Sequence, residues 1–476
     1  MTVGTTVVPL LINGEQITSS GNPNLEFTVS NPFKPDQVLY SARGATPEEA
    51  NVAVETTQKG FFEWKEVSYT EKREIFNRAA ILLSEKKSFF VQILKEMAIS
   101  EWFANVNVEA SIDMLKEAAS LTSVSPGTLA QSSSPDLSIV VNEPIGPVLS
   151  IVPWNSPMVL CVRALVWPLA AGCSVLLKTS ELSPLVHYEL AKVMQDAGVP
   201  AAAMNSINIS SQDAPSIIKQ MIEHKGIRKV NFTGSTGVGR VIAQIASGVL
   251  KPVLLELGGK CASIVTESAD LKKAAFGVVT AAFANNGQIC MSTERVFVVQ
   301  SVYDEFIKEV AAAADVVTKE VHLPQRTRRF AEAIEGILSS ASEDKAEVIY
   351  GSIHREDAFV KPVILGNVHE KHTLYDVETF GPTCYINSVS TVEDAVNKVN
   401  SSNYGLSCGL WCSDIMKAVE LARLLDTGAV HINGMTIHDE PVLPHGGVKS
   451  SGFGRFNGVW GIREFQYPKT ITISPK

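Results

Sequence analysis

The strongest constraint on this chain is the order in which two hydrophobic patterns alternate along it. Leu137–Val152 (LSIVVNEPIGPVLSIV) reads as two strands broken at Pro144–Gly146. Cys173–Lys178 is a short β-rich run, and Ser183–Ala197 is helical after a Ser-Pro start, with Gly198 as its C-cap. Lys229–Thr233 predicts a strand, Gly237–Ile245 a helix and Pro252–Leu257 another strand. Alternation of this kind needs a mostly parallel sheet covered by helices on both faces.

A second series follows. It runs helix Leu271–Ala284, strand Arg295–Val299, helices Tyr303–Ala314 and Arg326–Ala341, and strand Ala346–Tyr350. It continues through strand Cys384–Ser388, helices Val392–Val399 and Ile415–Leu425, and strand Ala429–Ile432. The fold class is therefore α/β, and two open α/β domains account for the pattern better than one. At about 150 residues per domain, 476 residues leave room for a small appendage. Upstream, Thr46–Trp64 and Thr70–Leu94 predict helices that begin with a capping Thr followed by acidic residues. The tail Lys469–Ile473 (KTITI) alternates like an edge strand.

Composition excludes several classes. With 45% hydrophobic and 19% charged residues the chain can build cores and is not disordered. A net charge of −9 with scattered basic residues argues against nucleic acid or an anionic membrane as partner. Seven cysteines without a CxxC pair make a disulfide framework improbable and a reducing compartment the better expectation. The start, MTVGTTVVPLLINGEQ, has neither the charged nor the apolar region of a signal peptide. The apolar stretch Gly146–Leu177 is interrupted by Pro153, Asn155, Pro157, Arg163 and Pro168, which argues against a membrane span. A cytoplasmic location is the expectation. Only His369 and His372 lie close together, with no metal-ligand spacing behind them, so no metal is expected.

Six short segments carry possible chemistry, and each has a plainer explanation. In Asn285–Glu294 (NNGQICMSTE), Cys290 follows a Gly-containing turn. As a nucleophile it would need a base or local dipoles, because an ordinary thiol is only about 3% ionised at pH 7. As a small hydrophobe it would need nothing. In Pro252–Lys260 (PVLLELGGK), Glu256 ends an apolar run, where burial would raise its pKa toward neutrality. It could equally pair with a buried Arg or Lys. The glycine pair after it permits close backbone approach or a tight turn. Asn231–Arg240 (NFTGSTGVGR) leads from a strand through Gly234 and Ser235 into a helix start that could hold a phosphate, or is a plain βα turn. Leu177–Pro184 sets Lys178 and Glu181 at a strand end, suited to ribose hydroxyls or to a surface ion pair. Asn155 in Pro153–Met158 could donate to an oxyanion or only form a turn. Glu378 and Phe380 in Asp376–Pro382 are uninformative alone.

Their order is informative. PWN, KTSE, FTGSTGVG, ELGGK, NNGQIC, ETFGP and HGGVKSSGFGR occur in succession, and the series resembles the aldehyde dehydrogenase superfamily nearly end to end. GQICMSTERV and HINGMTIHDEPVLPHGGVKSSGFGRFNG are similar to its salicylaldehyde, vanillin and benzaldehyde dehydrogenases. The resemblance implies that Cys290 attacks an aldehyde, that Asn155 and the Cys290 N–H hold the oxyanion, and that Glu256 activates water to release the acid. It implies NAD as cofactor, with NADP possible. Lys178 and Glu181 would hold its adenosine ribose, and Glu378 its nicotinamide ribose. Trp154, Gly234, Ser235 and Leu257 would line the cofactor site, and Phe380 would pack by the nicotinamide. The implied organisation is a cofactor-binding domain (1–125 and 144–258), a catalytic domain (259–456) and an oligomerisation element (126–143 and 457–476). The last would be a hairpin at about Pro126–Glu143 completed by Lys469–Ile473, giving a homodimer or homotetramer by extending a sheet across subunits.

This chain departs from the family pattern in several places. Phe456 stands where many relatives carry a relay glutamate, which would leave release of the acid to Glu256 alone and suit an apolar pocket. Asn286 replaces a usual Gln, Cys261 follows ELGGK, Ser100–Val108 lacks the usual motif, and the region between Asp315 and Arg326 looks shortened. Met158, Arg163, Trp167, Met291, Met435 and His445 are candidate pocket residues; Arg163 either faces the entrance or lies on a helix surface. The rival readings are oxidation of an aliphatic, polyketide or polyenal aldehyde in a biosynthetic pathway, a coenzyme A-dependent acylating relative, and a non-catalytic protein on this fold.

Overall fold

The structure, a computed structural model, describes residues 7–18, 25–124, 127–131, 133, 137–319 and 323–474. Residues 1–6, 19–24, 125–126, 132, 134–136, 320–322 and 475–476 lie outside the described set, and with them the start and turn of the hairpin expected at about Pro126–Glu143.

Two sheets organise the chain. The first has eight strands in the order Gly452–Phe453, Val253–Glu256, Lys229–Thr233, Val148–Ile151, Val175–Lys178, Met204–Ile207, Leu10–Ile12 and Glu15–Ile17. Its five central strands are mutually parallel, and antiparallel partners close both edges. Alternate residues serve opposite faces, as the strand period requires. Val148, Val175, Leu177 and Met204 join one core, while Leu149, Leu176, Val230 and Leu255 join another on the far side. Burial on both faces explains the continuous apolar runs seen in the sequence.

The second sheet has seven strands in the order Glu347–Gly351, Val363–Gly366, Thr383–Val389, Thr293–Val299, Cys261–Val265, Ser407–Trp411 and Ala429–Ile432, parallel except at its first pair. It too divides two cores: Ile264 and Phe297 face one, Val265, Val296 and Val298 the other. The chain passes between the sheets within Leu257–Lys260. A separate antiparallel sheet joins Gly127–Ala130, Leu137–Pro144 and Gln466–Ile473.

The sequence missed elements where its pattern was atypical. The single helix expected over Thr70–Leu94 is two, Tyr69–Glu85 and Lys87–Glu96, because Lys86 leaves helical geometry at φ −87°, ψ 7°. Glu101–Leu121 is a long helix capped by Ser100. Pro157–Ala170 is also a helix, and every residue in it is buried, so it has no polar face to reveal its period. Among the described residues no helix is long and apolar enough to cross a membrane. Gly452–Phe453 crosses back to pair with Val253–Glu256 in the first sheet.

The loop carrying Glu181 is held from below. His187, in the first turn of the helix Pro184–Asp196, is completely buried, and its Nδ1 accepts the Ser180 N–H at 3.1 Å. Burial, with the nearby Lys178 charge, pushes the imidazole from its ordinary 6.5 down to about 3. Because folding holds the ring neutral, its contribution to stability is complete above about pH 6.5 and is lost as pH falls toward 3. His187→Gln, which can still accept the Ser180 N–H, should flatten that part of the stability profile in urea unfolding between about pH 7 and about pH 4.

Candidate active site

Glu256 is the last residue of a central strand, and the two glycines that follow carry the chain to the second sheet. A Cβ on Gly258 would lie 2.2 Å from Glu378 Oε2, and one on Gly259 would lie 2.4 Å from the Cys290 carbonyl oxygen. Neither has positive φ. The pair therefore serves close approach, not a turn, and it lets the Cys290 and Glu378 segments close on the strand end.

Cys290 is delivered by an unusual backbone. Asn285, Asn286 and Gly287 are all left-handed, at φ 48°, 55° and 71°. Asparagine tolerates that region better than most residues, which gives Asn286 a physical role. Its Nδ2 also donates to the Leu323 and Pro324 carbonyls. A Cβ on Gly287 would sit 1.9 Å from the Gly381 oxygen. Asn155 Nδ2 donates one N–H to the Gln288 carbonyl at 3.0 Å, and Asn285 Nδ2 donates to the Asn155 carbonyl at 3.1 Å. One N–H of the Asn155 amide remains beyond that bond.

The Cys290 thiol lies 3.3 Å from Glu256 Oε1. Burial and the Glu256 charge push the thiol well above its usual range, so it rests protonated beside a base. Glu256 itself corrects the sequence expectation of a raised pKa. Burial does oppose its charge, but His445 and Arg163 outweigh burial and hold the carboxyl at about 2. His445 Nε2 is 3.1 Å from Oε1; Arg163 Nη1 donates to Oε2 at 3.2 Å and Thr233 Oγ1 donates to it at 3.3 Å.

Arg163 faces neither an entrance nor the surface. It is buried, bridges Glu256 to Asp439, and lays its guanidinium over the Phe456 ring at 5.5 Å. Phe456 is thus a floor under a cation, and Glu256 is not a solitary carboxylate. Sequence reasoning had His445 only as a pocket candidate and did not name Asp439; no spacing signals a contact between residues 163, 256, 439 and 445.

A cavity of about 260 Å³ opens on Cys290 and Glu256 and is lined by Trp154, Asn155, Gly234, Ser235, Leu257, Glu378 and Phe380. Nine of the eleven predicted site residues thus meet in one place, with Gly258 beside them. Trp154 stacks on Phe330 at 5.3 Å and meets the edge of Phe380 at 5.9 Å. Phe330, the third residue of the helix Arg328–Glu343, was not singled out in the sequence because no motif marks it. Glu378 accepts the Gly259 N–H at 3.1 Å, and burial, helped by Glu294, raises it to about 8. Ser235 opens the helix Thr236–Gly248 without bonding its side chain back to it. Lys178 and Glu181 pair at 3.3 Å at the same edge of the sheet but do not line the cavity. Met435 lines a different depression beside His431 and His438, while Met158 and Trp167 are fully buried. Among the described residues no group of three or more His, Cys, Asp or Glu could hold a metal ion.

The chain matches known proteins over nearly its whole length. Residues 18–471 match the aldehyde dehydrogenase family. A salicylaldehyde dehydrogenase of Pseudomonas putida is 38% identical, with 98% of each chain covered. A vanillin dehydrogenase of Pseudomonas sp. HR199 is 37% identical over 98% of each. The crystal structure of a salicylaldehyde dehydrogenase from Pseudomonas putida G7, complexed with salicylaldehyde, superposes with a TM-score of 0.94 at 35% identity, covering 99% of this chain and 98% of that one. Betaine aldehyde dehydrogenase from Staphylococcus aureus, complexed with NAD+, gives 0.92 at 25% identity over 98% and 94%.

The buried cation generates a stability prediction. Arg163→Met leaves the Glu256 and Asp439 carboxylates facing each other without it, which should cost about 3–5 kcal/mol in denaturant unfolding. Arg163→Lys should recover only part, because one ammonium cannot reproduce the two-sided fork.

Proposed function

The chain belongs to the aldehyde dehydrogenase family, and from that premise we propose that it oxidises an aromatic aldehyde to the carboxylic acid, with Cys290 as nucleophile and NAD as the preferred cofactor. The observation that carries the chemistry is the 3.3 Å contact between the Cys290 thiol and Glu256 Oε1 in the lining of the cavity. Glu256 removes the thiol proton, and the thiolate attacks the aldehyde carbon to form a thiohemiacetal. The second N–H of Asn155 and the Cys290 backbone N–H hold the oxyanion. Loss of hydride leaves a thioester, and Glu256 then takes a proton from the water that attacks it.

The cavity and the sheet edge beside it offer groups suited to parts of a dinucleotide. Trp154, Phe330 and Phe380 offer aromatic walls, and Glu378 is a buried carboxyl able to meet a ribose hydroxyl. Gly234, Ser235 and the helix start behind them suit a pyrophosphate, Leu257 flanks the cavity, and Lys178 with Glu181 suit the adenosine ribose. When bound, NAD or NADP supplies the hydride acceptor. Glu181 favours NAD, while Lys178 beside it leaves room for NADP. The aromatic class is supported by the salicylaldehyde and vanillin dehydrogenase relatives.

The same reading includes the domain division at 258/259 and a homodimer or homotetramer. Support for assembly comes from the three-stranded sheet, where Leu129, Ile471 and Ile473 are exposed, and from the edge strand Ala429–Ile432.

NADH formation tests the proposal on benzaldehyde, vanillin, salicylaldehyde, a long aliphatic aldehyde and a polyenal. The aromatic members should turn over, and Cys290→Ala should lose at least about a thousandfold in rate. Glu256→Gln should lose about 10²–10⁴. Turnover of only the aliphatic or polyenal members would keep the enzyme class and discard the aromatic reading.

A further inference from the structure

Two buried charges close the motifs that carry Glu256 and Cys290, and neither enters the chemistry described so far. Lys260 is the last residue of PVLLELGGK and Glu294 the last of NNGQICMSTE. Both are buried, and Lys260 Nζ donates to Glu294 Oε2. The strand Thr293–Val299 meets its neighbour Cys261–Val265 with one extra residue. Cys261 pairs with Thr293 and Ala262 with Arg295, leaving Glu294 as the insertion. A bulge of this kind re-aims the side chain it carries. Here the side chain meets the segment 377–382, which belongs to no strand or helix.

Two successive backbone N–H groups converge on that carboxylate. Thr379 donates to Oε2 at 2.9 Å and to Oε1 at 3.1 Å, and Phe380 donates to Oε1 at 3.1 Å. Phe380 is left-handed at φ 53°, a conformation that turns consecutive N–H groups toward one anion. Lys260 completes the clasp by donating to Thr379 Oγ1 at 3.0 Å. On one side of the clasp Glu378 accepts the Gly259 N–H, and on the other Phe380 meets Trp154. Glu378 and Phe380 line the cavity, whereas Glu294 and Lys260 stand behind it.

We propose that Glu294 is a positioning residue for the cofactor: its carboxylate, balanced by Lys260, holds the Thr379 and Phe380 backbone so that Glu378 and Phe380 present one fixed surface to the dinucleotide. The inference rests on the reading of Glu378 and Phe380 as cofactor contacts. A bulky residue at positive φ is strained and persists only where its surroundings fix it. Charge-assisted N–H bonds, roughly twice as strong as neutral ones, supply that fixation. Without the acceptor, both N–H groups would have to turn elsewhere and would carry the Glu378 and Phe380 side chains with them. Burial and, after it, the Glu294 charge raise Glu378 to about 8. At neutral pH Glu378 is therefore mostly protonated and does not repel the carboxylate that holds its neighbours.

Binding of NAD alone, measured by titration calorimetry, tests the role. Hydrolysis of 4-nitrophenyl acetate without cofactor reports the thiol site separately, through its burst of nitrophenolate. Both charges are removed together so that neither is stranded, and apolar replacement of a buried pair is often neutral for stability. Lys260→Met/Glu294→Leu abolishes the acceptor, while Lys260→Met/Glu294→Gln keeps one oxygen for the two N–H groups that Oε1 accepts. The first should weaken NAD binding about 10- to 100-fold and the second by no more than about threefold, with the burst retained in both. NAD binding by Lys260→Met/Glu294→Leu equal to wild type would overturn the positioning role. Equal weakening in the two double variants would also overturn it, because the effect would then belong to the charges. So would loss of the burst along with NAD binding, which marks a residue needed only for the fold. Failure of the underlying reading looks different. Wild type that binds no NAD, or Glu378→Ala that binds it as wild type does, would overturn the cofactor assignment and the inference with it.

Discussion

The site is organised around one buried carboxylate. Glu256 stands at the end of a central strand with almost no access to solvent. An unpaired charge in such a place would neutralise or unfold its surroundings. Arg163, His445 and Thr233 keep it ionised, and Cys290 supplies the remaining neighbour. Each of these groups comes from a different part of the chain, so the charge can be satisfied only when both sheets, the buried helix and the loop before residue 445 are assembled. The same pairings that keep Glu256 charged also weaken it as a base.

Close approach of backbones brings the nucleophile to that carboxylate. The first sheet ends in Glu256, and the second begins at Cys261 after only four residues. Side chains at Gly258 or Gly259 would collide with Glu378 or with the Cys290 carbonyl. The left-handed run Asn285–Gly287 then turns the chain so that the thiol faces back across the gap. Strain of this kind persists only where the surroundings fix it. Here the bonds from Asn286 to Leu323 and Pro324, and from Asn155 to Gln288, do so.

Much of this was legible in the sequence. Short apolar runs separated by helical segments marked four of the eight strands of the first sheet and four of the seven of the second, and the succession of short motifs marked Cys290, Glu256, Asn155, Glu378 and Phe380 as members of one site. The helix Pro157–Ala170 was not legible, because burial on every side removes the polar face that betrays a helix. Phe330 was not legible either: it faces Trp154 from a helix whose approach carries no motif.

What the sequence determined by itself is the set of local choices: where strands and helices form, where glycine or asparagine must stand, and which residue types the chemistry uses. Those follow from interactions within a few residues, and the order of motifs preserves them. Only the tertiary structure decided the charge state of Glu256, the facing of Arg163 and the contact of His445 with Oε1. A pKa is set by what lies within a few ångströms, and residues 163, 256, 290, 439 and 445 become neighbours only when distant segments pack.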